Sequence, residues 1–389
     1  MKKGLTRLVC TALTAAMVIS CLPAMPGVNF EMPFISEAAA ADSITVYECQ
    51  GAQETAYIEW AAVSDTDHYY VSYSKDGTVY TDIDDALIRQ YPDRWRADLV
   101  GLAAGDYTVK VTAKDVNGGI LAEQTAQCSV VAHDRTGFAF APTSPYYNLG
   151  GIGAYKNDGT LKDNANVIYV TEDNFDEVTL TLNNKGGNAE TVTGVAAICQ
   201  TMGAAANKDV SNPPLAIRFI GTFSGNHTDV EAGLLELKVD KGDKPVNITF
   251  EGIGQDTIFN VLAFKMVGAS NCEIRNIAFS EFTDDAIGYQ GKPNSNNWIH
   301  NCDFFYGVEG SGDKVKGDGA TDIKDDSKYM TISYNHYWDN GKLGLCGMKG
   351  ESGENFISYH HNWFDHSDSR HPRVRTMSVH VFNNYFDGN

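Results

Sequence analysis

Three aspartates in the second half of the sequence have a spacing that could form a metal-binding cluster. Asp318 and Asp322 are four residues apart, and an extended backbone would place both side chains on one face. Asp285 comes 33 residues before Asp318, close to one repeat of the pattern described below, so stacking would bring the two within about 5 Å. Carboxylates this close repel one another unless a hard cation neutralises them, and calcium accepts incomplete cages of oxygen ligands. The spacing predicts Ca²⁺ on these three aspartates, against the alternative of solvated surface acids.

A second group of candidate functional residues is basic and follows the aspartates. Lys342 lies in a stretch of glycine and leucine, and Arg370 and Arg375 lie in a short basic segment. The interval from Lys342 to Arg370 is again close to one repeat, so the same stacking would bring both side chains to the acidic face. We predict that these cations line the site, against the alternative of ordinary solvated bases.

Three histidines near the basic segment invite a metal or acid–base interpretation. His360 and His361 are adjacent in a short strand-like run, and His366 follows them. Neutral imidazole is a common metal ligand and carries protons near neutral pH. In a tight strand, however, His360 and His361 are expected to serve packing or structure, so we assign no chemistry to them.

All of these side chains can meet only if the chain stacks its strands in a regular way. Five short apolar runs each lead to an asparagine, at positions 276, 301, 335, 362 and 384. Their separations of 25, 34, 27 and 22 residues are about one turn of a β-solenoid. One turn cannot bury its inner face alone, so stacked turns share a core, and asparagine at a bend can adopt left-handed backbone and bond its neighbours. The pattern predicts an all-β, single-stranded solenoid over residues 148–389.

The sequence between residues 42 and 132 has a different pattern, that of a β-sandwich. Short alternating runs separated by glycine turns predict its strands, at 56–60, 69–73 and 107–113. With an early Trp60 and the approach to a late strand at 102–107, the segment resembles a fibronectin type III domain. It shows no catalytic constellation, so we expect a spacer or presentation module rather than a sugar-binding one. Residues 133–147, with two prolines, are expected to be a linker.

Composition and charge limit the partners and the compartment. The 389-residue chain is 43% hydrophobic and 21% charged, as globular proteins are, and its formal net charge of −20 argues against nucleic acid or an anionic membrane as a partner. Residues 1–41 begin with basic residues, continue through an apolar run too short to span a bilayer and end in four alanines. They predict a cleaved signal peptide and a secreted, extracellular protein, with a lipoprotein anchor at Cys21 as the alternative. No later segment has the length and apolar character of a membrane span.

Six cysteines remain beyond the predicted signal, and their spacing does not suggest zinc. Cys49 and Cys128 bracket the predicted sandwich and could pair in an oxidising compartment, or could remain thiols. The other four are expected to fill the core as small apolar side chains. The sequence stops at Asn389 directly after a repeat, without the polar cap of a solenoid end, so we expect it to be C-terminally incomplete.

From about residue 246 to residue 389 the sequence resembles the polysaccharide lyase family 1 pectate lyases. The resemblance rests on the order and spacing of four motifs, which are Thr321-Asp322-Ile323-Lys324, His360-His361-Asn362-Trp363-Phe364-Asp365, Ser369-Arg370-His371-Pro372-Arg373-Val374-Arg375 and Val379-His380-Val381-Phe382-Asn383-Asn384-Tyr385. It implies a right-handed parallel β-helix with calcium at its cleft.

The same resemblance implies roles for individual residues. By motif, the calcium-binding acids fall on Asp285, Asp318 and Asp322, the catalytic arginine on Arg370, and the substrate-binding lysine and second arginine on Lys342 and Arg375. Some members of the family carry a further acid where this chain has Thr283. Asp284 is adjacent but would point the other way in a strand, which leaves the number of calcium ions open.

The implied reaction is β-elimination in α-1,4-linked polygalacturonate, with Arg370 as general base and calcium bridging an acidic protein to an acidic polymer. Arginine is normally protonated, and neutralising one at pH ~9 costs roughly 5–6.5 kcal/mol, so we expect an alkaline optimum. Three alternatives remain open: a pectin lyase acting on esterified chains, a hydrolase using paired aspartates, and a non-catalytic pectate-binding β-helix. We expect a monomer without a nucleic-acid partner.

Overall fold

The structure is a computed structural model, and it describes residues 43–348, 350–351, 353–375 and 377–388. The predicted signal peptide at 1–41, with its lipoprotein alternative, lies outside the described residues. In the part of the chain that the structure describes, no helix combines the length and apolar character that crossing a membrane requires.

Eight strands form an antiparallel β-sandwich at the N-terminal end, with a 3₁₀ helix at Asp85–Leu87. They are β1 (Val46–Gly51), β2 (Thr55–Trp60), β3 (His68–Ser74), β4 (Thr81–Asp82), β5 (Ile88–Gln90), β6 (Trp95–Val100), β7 (Gly105–Lys114) and β8 (Ile120–Val130). The two sheets have the orders β1-β2-β6-β5 and β4-β3-β7-β8. The three runs predicted as strands lie within β2, β3 and β7, which confirms them.

Alternation along these strands directs every second side chain into the sandwich core. The buried positions of β2 end at Trp60, whose ring packs edge-on against Tyr69 with centroids 5.3 Å apart. The Tyr107 hydroxyl donates a hydrogen bond to the Ala103 carbonyl at 2.7 Å, as the tyrosine corner of immunoglobulin-like sandwiches does. The resemblance to fibronectin type III domains stays a prediction.

The remaining described residues contain short strands and one α-helix, α1 (Val195–Ala206), with 3₁₀ helices at Phe138–Phe140, Tyr147–Leu149 and Gly312–Lys314. The strands are β9 (Asn166–Val170), β10 (Thr179–Asn183), β11 (Ala189–Thr193), β12 (Leu215–Phe219), β13 (Thr222–Phe223), β14 (Leu234–Lys238), β15 (Lys244–Pro245), β16 (Ile248–Gly252), β17 (Ile258–Asn260), β18 (Ala263–Val267), β19 (Ala269–Ser270), β20 (Glu273–Arg275), β21 (Ala278–Ser280), β22 (Ile287–Tyr289), β23 (Trp298–His300), β24 (Asp303–Phe304), β25 (Thr321–Ile323), β26 (Met330–Ser333), β27 (His336–Trp338), β28 (Leu345–Cys346), β29 (Ile357–His360), β30 (Trp363–Asp365), β31 (Arg373–Val374), β32 (Val379–Phe382) and β33 (Tyr385–Asp387).

Three parallel sheets wrap around one core. The eight-stranded sheet has the order β9-β12-β16-β20-β23-β26-β29-β32, the seven-stranded sheet β13-β17-β21-β24-β27-β30-β33, and the six-stranded sheet β14-β18-β22-β25-β28-β31. Successive turns of the chain add one strand to each sheet, which confirms the predicted parallel β-helix. Strands β10 and β11 form a hairpin, and α1 buries its apolar face against the N-terminal end of the core.

An asparagine ladder runs along the bend after the eight-stranded sheet. The backbone N–H of Asn335 donates to the side-chain oxygen of Asn362 at 3.1 Å, and the N–H of Asn362 donates to that of Asn384 at 2.9 Å. These carboxamides are largely buried and replace strand pairing where the chain turns. The predicted role of asparagine in bonding neighbouring turns is therefore confirmed.

The left-handed backbone that asparagine can adopt at a bend is found at two of the five asparagines. Asn276 and Asn301 adopt it, but in the later turns it lies one residue before the ladder asparagine, on Tyr334, His361 and Asn383, with φ of 56°, 53° and 53°. The spacing of the asparagines reveals the repeat, but it does not show which residue of each bend adopts the left-handed backbone. In these turns the residue before the asparagine adopts it, and the asparagine supplies the carboxamide to the ladder.

The predicted linker at 133–147 packs against the outward face of the eight-stranded sheet. The N–H of Phe138 donates to Ser358 at 2.9 Å and that of Ala139 to Thr331 at 3.1 Å, while the Tyr146 hydroxyl donates to the Asp243 carbonyl at 2.6 Å. The segment is therefore a docked strap, although the domain boundaries themselves stay predictions.

The cysteines divide as expected between the two units. Cys199, Cys272, Cys302 and Cys346 are buried in the β-helix core, which confirms their predicted role as small apolar side chains. Cys49 and Cys128 are free thiols in the structure whose side chains share a hydrogen bond, so their pairing stays a prediction.

The asparagine ladder leads to a stability prediction. Asn362→Ala removes the acceptor used by Asn335 and the donor that reaches the Ile332 carbonyl at 2.9 Å, and leaves those buried groups unpaired. We expect a loss of about 2–4 kcal/mol in the free energy of unfolding, measured by denaturant titration. The exposed Asn226→Ala is the control and should change stability by less than about 0.5 kcal/mol. Equal stability of the two variants would contradict the ladder's role.

Candidate active site

The site lies on the outward face of the six-stranded sheet and in the bends that precede its strands. Ala286 N–H donates to the Gly319 carbonyl at 3.0 Å, Ala320 N–H to the Lys342 carbonyl at 3.1 Å, and Gly344 N–H to the Arg370 carbonyl at 2.9 Å. These bonds stack four successive turns, so segments that lie one repeat apart in the sequence become neighbours in space. Leu345 of β28 pairs with Arg373 of β31, and this register equals the interval that separates Lys342 from Arg370.

The carboxylates lie close together, but the alternation of side chains along a strand does not explain their proximity. Strand β22 pairs with β25 at an offset of 34, Ile287 with Thr321, so Asp285 lies level with Gly319 and Asp318 is one residue out of step. Asp318 sits in a bend before β25 and only Asp322 lies in the strand, which makes the predicted common strand face wrong. The bend itself turns Asp318 toward Asp285.

Asp284 belongs to the same cluster, although it was expected to point away. Ligand-type oxygens of Asp284, Asp285 and Asp318 lie within 4.8 Å of one another. The expectation assumed a strand at 283–285, but these residues form a bend before β22, where alternation does not hold.

Lysines neutralise the carboxylates from two sides. The Lys324 ammonium lies 2.7 Å from Asp285 and 3.1 Å from Asp322, and the Lys342 ammonium lies 2.9 Å from Asp318, which Lys314 also contacts. Sequence reasoning assigned no role to Lys324, although it lies two residues after Asp322 on the same face of the sheet, and gave no signal for Lys314.

The pKa values of Asp285 and Asp318 are shifted in opposite directions. Burial, together with the carboxylate of Asp322, raises the pKa of Asp285 to about 7 even though Lys324 counteracts it. Burial also acts against ionisation of Asp318, but Lys314 and Lys342 outweigh it and lower its pKa to about 2. The carboxylates of Asp322 and Asp285 likewise overcome burial and raise the pKa of Lys324. At Asp285, burial and repulsion from Asp322 therefore outweigh the attraction of Lys324.

Arg370 lies next to the acids. Its guanidinium Nη1 is 3.8 Å from Asp322 Oδ2, and the side chain is only 15% exposed. Its backbone adopts the left-handed conformation, with φ 67°, which for a residue with a long side chain is held only by its surroundings. Lys342, 5% exposed, occupies the preceding turn.

Two open depressions meet at Arg370. One, of about 770 Å³, is also lined by Lys342 and Arg373, and the other, of about 840 Å³, by Asp322 and Lys324. Arg375 is exposed, and its backbone N–H donates to the Cys346 carbonyl at 2.9 Å. Among the described residues that line the two depressions Arg373 is present and Arg375 is not, so sequence reasoning missed an arginine that lines the same depression as Lys342.

A hard divalent cation fits the acidic cluster by the chemistry of its donors. The converging groups are carboxylate oxygens, the donors that calcium prefers. Gly319 lies between them, and a Cβ there would come within 2.8 Å of Asp285 and still closer to Asp322, so only glycine leaves the space open. Asp285, Asp318 and Asp322, with Asp284 beside them, are the residues that could hold the ion.

The histidines lie elsewhere. His360 ends β29 in the eight-stranded sheet, is fully buried and stacks on Phe382 with ring centroids 5.0 Å apart. His361 follows it, and His366 is an exposed residue in the bend after β30. The packing role expected for His360 agrees with its burial.

The sequence is similar to known proteins over most of its length. A family model described as pectate lyase matches residues 110–389. A pectate trisaccharide-lyase of Bacillus licheniformis is 33% identical over 211 residues, which cover 53% of this chain and 58% of the relative. That of Thermotoga maritima is 34% identical over 156 residues, 34% of this chain and 40% of the relative. The chain thus spans about half the length of these curated relatives.

A solved structure is similar over most of the chain. The pectate lyase Bsp165PelA from Bacillus sp. N165, in complex with trigalacturonate, is 25% identical with a TM-score of 0.48, and covers 66% of this chain and 69% of its own. The family model itself extends over well more than half of the sequence. The chain therefore belongs to the pectate lyase family.

Proposed function

We propose that the protein is a calcium-dependent pectate lyase that cleaves α-1,4-linked polygalacturonate by β-elimination. The observation that carries the proposal is the position of Arg370, whose guanidinium lies 3.8 Å from Asp322 and lines both depressions beside the carboxylate cluster. Family membership supports the reaction class, and two relatives are named as pectate trisaccharide-lyases. A polysaccharide needs an open groove of this kind rather than a closed pocket.

The charge of the site suits an acidic polymer, although the net charge of the whole chain does not. The formal net charge is −20, but Lys324, Lys342, Arg370 and Arg373 converge on the two depressions. Such fixed cations bind uronate carboxylates and pre-organise positive charge where negative charge develops in the reaction. Local cations therefore overcome the repulsion expected from the global field.

Asp285, Asp318 and Asp322 are the proposed calcium ligands, with Asp284 as a fourth carboxylate nearby. Calcium held there would supply positive charge beside the uronate carboxylate. The ion would compete with Lys324 and Lys342 for these acids, which would leave the lysines available to the substrate.

Arg370 is the proposed general base. It takes the proton from C5 of a galacturonate, the electron pair of that C–H bond becomes the C4=C5 double bond, and the C4–O bond breaks to give a leaving oxygen that is protonated from solvent. The neutral guanidine that this requires costs roughly 5–6.5 kcal/mol at pH ~9, and a second cation beside it lowers that cost. Lys342, in the preceding turn, is positioned to be that cation.

Replacement of the base tests the mechanism directly. We expect Arg370→Lys to lower turnover on polygalacturonate by about 10²–10⁴-fold, because the planar fork of the guanidinium is lost. Turnover is measured as absorbance of the 4,5-unsaturated product, with and without calcium. Arg94→Lys, in the N-terminal sandwich and outside both depressions, is the matched control and should retain full turnover. Full turnover in Arg370→Lys, or a saturated product, would exclude the proposed base.

Calcium affinity should depend on pH through Asp285. Its pKa is raised to about 7, so at lower pH the protein holds a proton that the ion must displace, and at higher pH the site is already ionised. The apparent calcium dissociation constant should rise roughly tenfold per pH unit below about pH 7 and level off above it, as titration calorimetry would show. Asp240→Asn, an exposed acid on the rim, should keep this profile. Equal affinity at pH ~5.5 and ~8.5 would contradict it.

Lys324 should weaken calcium binding, because its ammonium occupies Asp285 and Asp322 and repels a divalent ion. We expect Lys324→Met to bind calcium at least about tenfold more tightly than wild type at pH ~9, measured by calorimetry. Lys316→Met is the control, since Lys316 pairs with Asp339 and Asp368 outside the cluster, and its affinity should be unchanged. Weaker binding in Lys324→Met would contradict the cluster as the calcium site.

A further inference from the structure

A second group of potential metal ligands lies where the strap crosses the eight-stranded sheet. Ligand atoms of Asp134, His360 and His361 lie within 4.8 Å of one another. Asp134 belongs to the strap, while His360 ends β29 and His361 follows it, so the group joins two segments that are far apart in the sequence. It lies on a different sheet from the carboxylates of the proposed active site.

The ring of His360 is oriented for ligation. Its Nε2 lies 2.7 Å from the Thr136 carbonyl oxygen, and because a carbonyl only accepts, Nε2 must carry the hydrogen. Nδ1 is then left with a lone pair, which points to Nδ1 of His361 at 2.9 Å. A histidine whose second nitrogen donates to a backbone carbonyl is the arrangement in which proteins hold metal-binding imidazoles.

Asp134 is held with one oxygen facing the histidines. Its Oδ1 accepts hydrogen bonds from the backbone N–H of Thr136 at 2.8 Å and from the Thr136 hydroxyl. Its Oδ2 lies 3.9 Å from Nδ1 of His361 and 3.4 Å from the Tyr334 hydroxyl. The ring of Tyr334 stacks on His361 with centroids 4.8 Å apart, which fixes the plane of that imidazole.

The separations suit a small tetrahedral ion. Bonds of about 2.0–2.1 Å place neighbouring ligand atoms about 3.3 Å apart in a tetrahedron. The observed nitrogen–nitrogen distance of 2.9 Å and nitrogen–oxygen distance of 3.9 Å lie on either side of that value, so small side-chain rotations suffice. The side chains of His361 and Asp134 are 34% and 32% exposed, which leaves a path from solvent. Two imidazoles with one carboxylate favour zinc over calcium or magnesium.

We propose that Asp134, His360 and His361 bind one Zn²⁺, with a water molecule completing the coordination, and that the ion fastens the strap to the β-helix. The site is structural rather than catalytic, since its ligands line neither depression at Arg370. Zinc would thereby couple the docking of the N-terminal unit to the stability of the solenoid.

Zinc binding is tested on the full chain in saturating calcium, so that the acidic cluster is occupied. Titration with ZnCl₂ should give one zinc per wild-type chain and raise the melting temperature by about 5 °C at a hundredfold excess over the dissociation constant. His361→Asn and Asp134→Asn should each abolish both effects. Asparagine is chosen at 361 because it tolerates the left-handed backbone found there, φ 53°.

His366→Asn is the matched control, since His366 is also left-handed, φ 52°, and lies in the separate group of Asp365, His366 and Asp387. It should bind zinc as wild type does. Absence of zinc binding in wild type, retention in His361→Asn, or loss in His366→Asn would each overturn the proposal. Far-ultraviolet circular dichroism of each variant verifies that the fold is intact when binding is scored.

Discussion

Parallel hydrogen bonding between successive turns is the constraint on which the rest of this structure depends. It holds equivalent residues of neighbouring turns at strand spacing, about 4.8 Å, and so converts a sequence repeat into columns of side chains. The column Phe279, Phe304, Tyr337 and Phe364 shows this in the core, with ring centroids 5.1, 4.8 and 5.4 Å apart. The asparagine ladder continues the same bonding through the bends, where backbone pairing stops.

In the candidate active site, the same stacking of turns brings charged side chains together on the outer face. Like charges there would repel one another without neighbouring opposite charges. Asp285 and Asp318 are the same residue type in different environments. Burial beside Asp322 raises the pKa of Asp285, whereas Lys314 and Lys342 lower the pKa of Asp318. Carboxylates in such a cluster attract a hard cation, because Lys324 only partly offsets the effect of burial and of Asp322 on Asp285. Gly319 keeps the space between the carboxylates open.

The outward face of the eight-stranded sheet is polar but buried, because the strap and the sandwich cover it. Glu251 is 2% exposed and pairs with Arg218 and Arg275, while Arg135 of the strap pairs with Glu54, which is fully buried in the sandwich. Removing one member of such a pair leaves an uncompensated charge in a low-dielectric interior, which is costly. Between the units, the Tyr91 hydroxyl of the sandwich donates to Asp256 at 2.9 Å, and the strap donates to the sheet through the N–H groups of Phe138 and Ala139. These contacts bind the N-terminal unit to the β-helix.

Sequence reasoning was strongest where a local repeat carries the information. It predicted the sandwich strands, the solenoid and the placement of Lys342 and Arg370 one turn apart, because hydrophobic alternation and repeat length are local properties. It was weaker in the bends. Asp284 was wrongly expected to face away from the cluster, because alternation holds only within strands, and in three turns the left-handed residue is the one before the asparagine.

The amino-acid sequence by itself determined the class of fold, the order of its units and the types of side chain available to the site. Only the tertiary structure decided which of them meet. The contacts of Lys324 with two aspartates, the place of Arg373 rather than Arg375 in the groove, and the meeting of Asp134 with His360 and His361 all depend on it. The physical reason is that bends and straps obey no periodicity, and their partners come from turns distant in the chain.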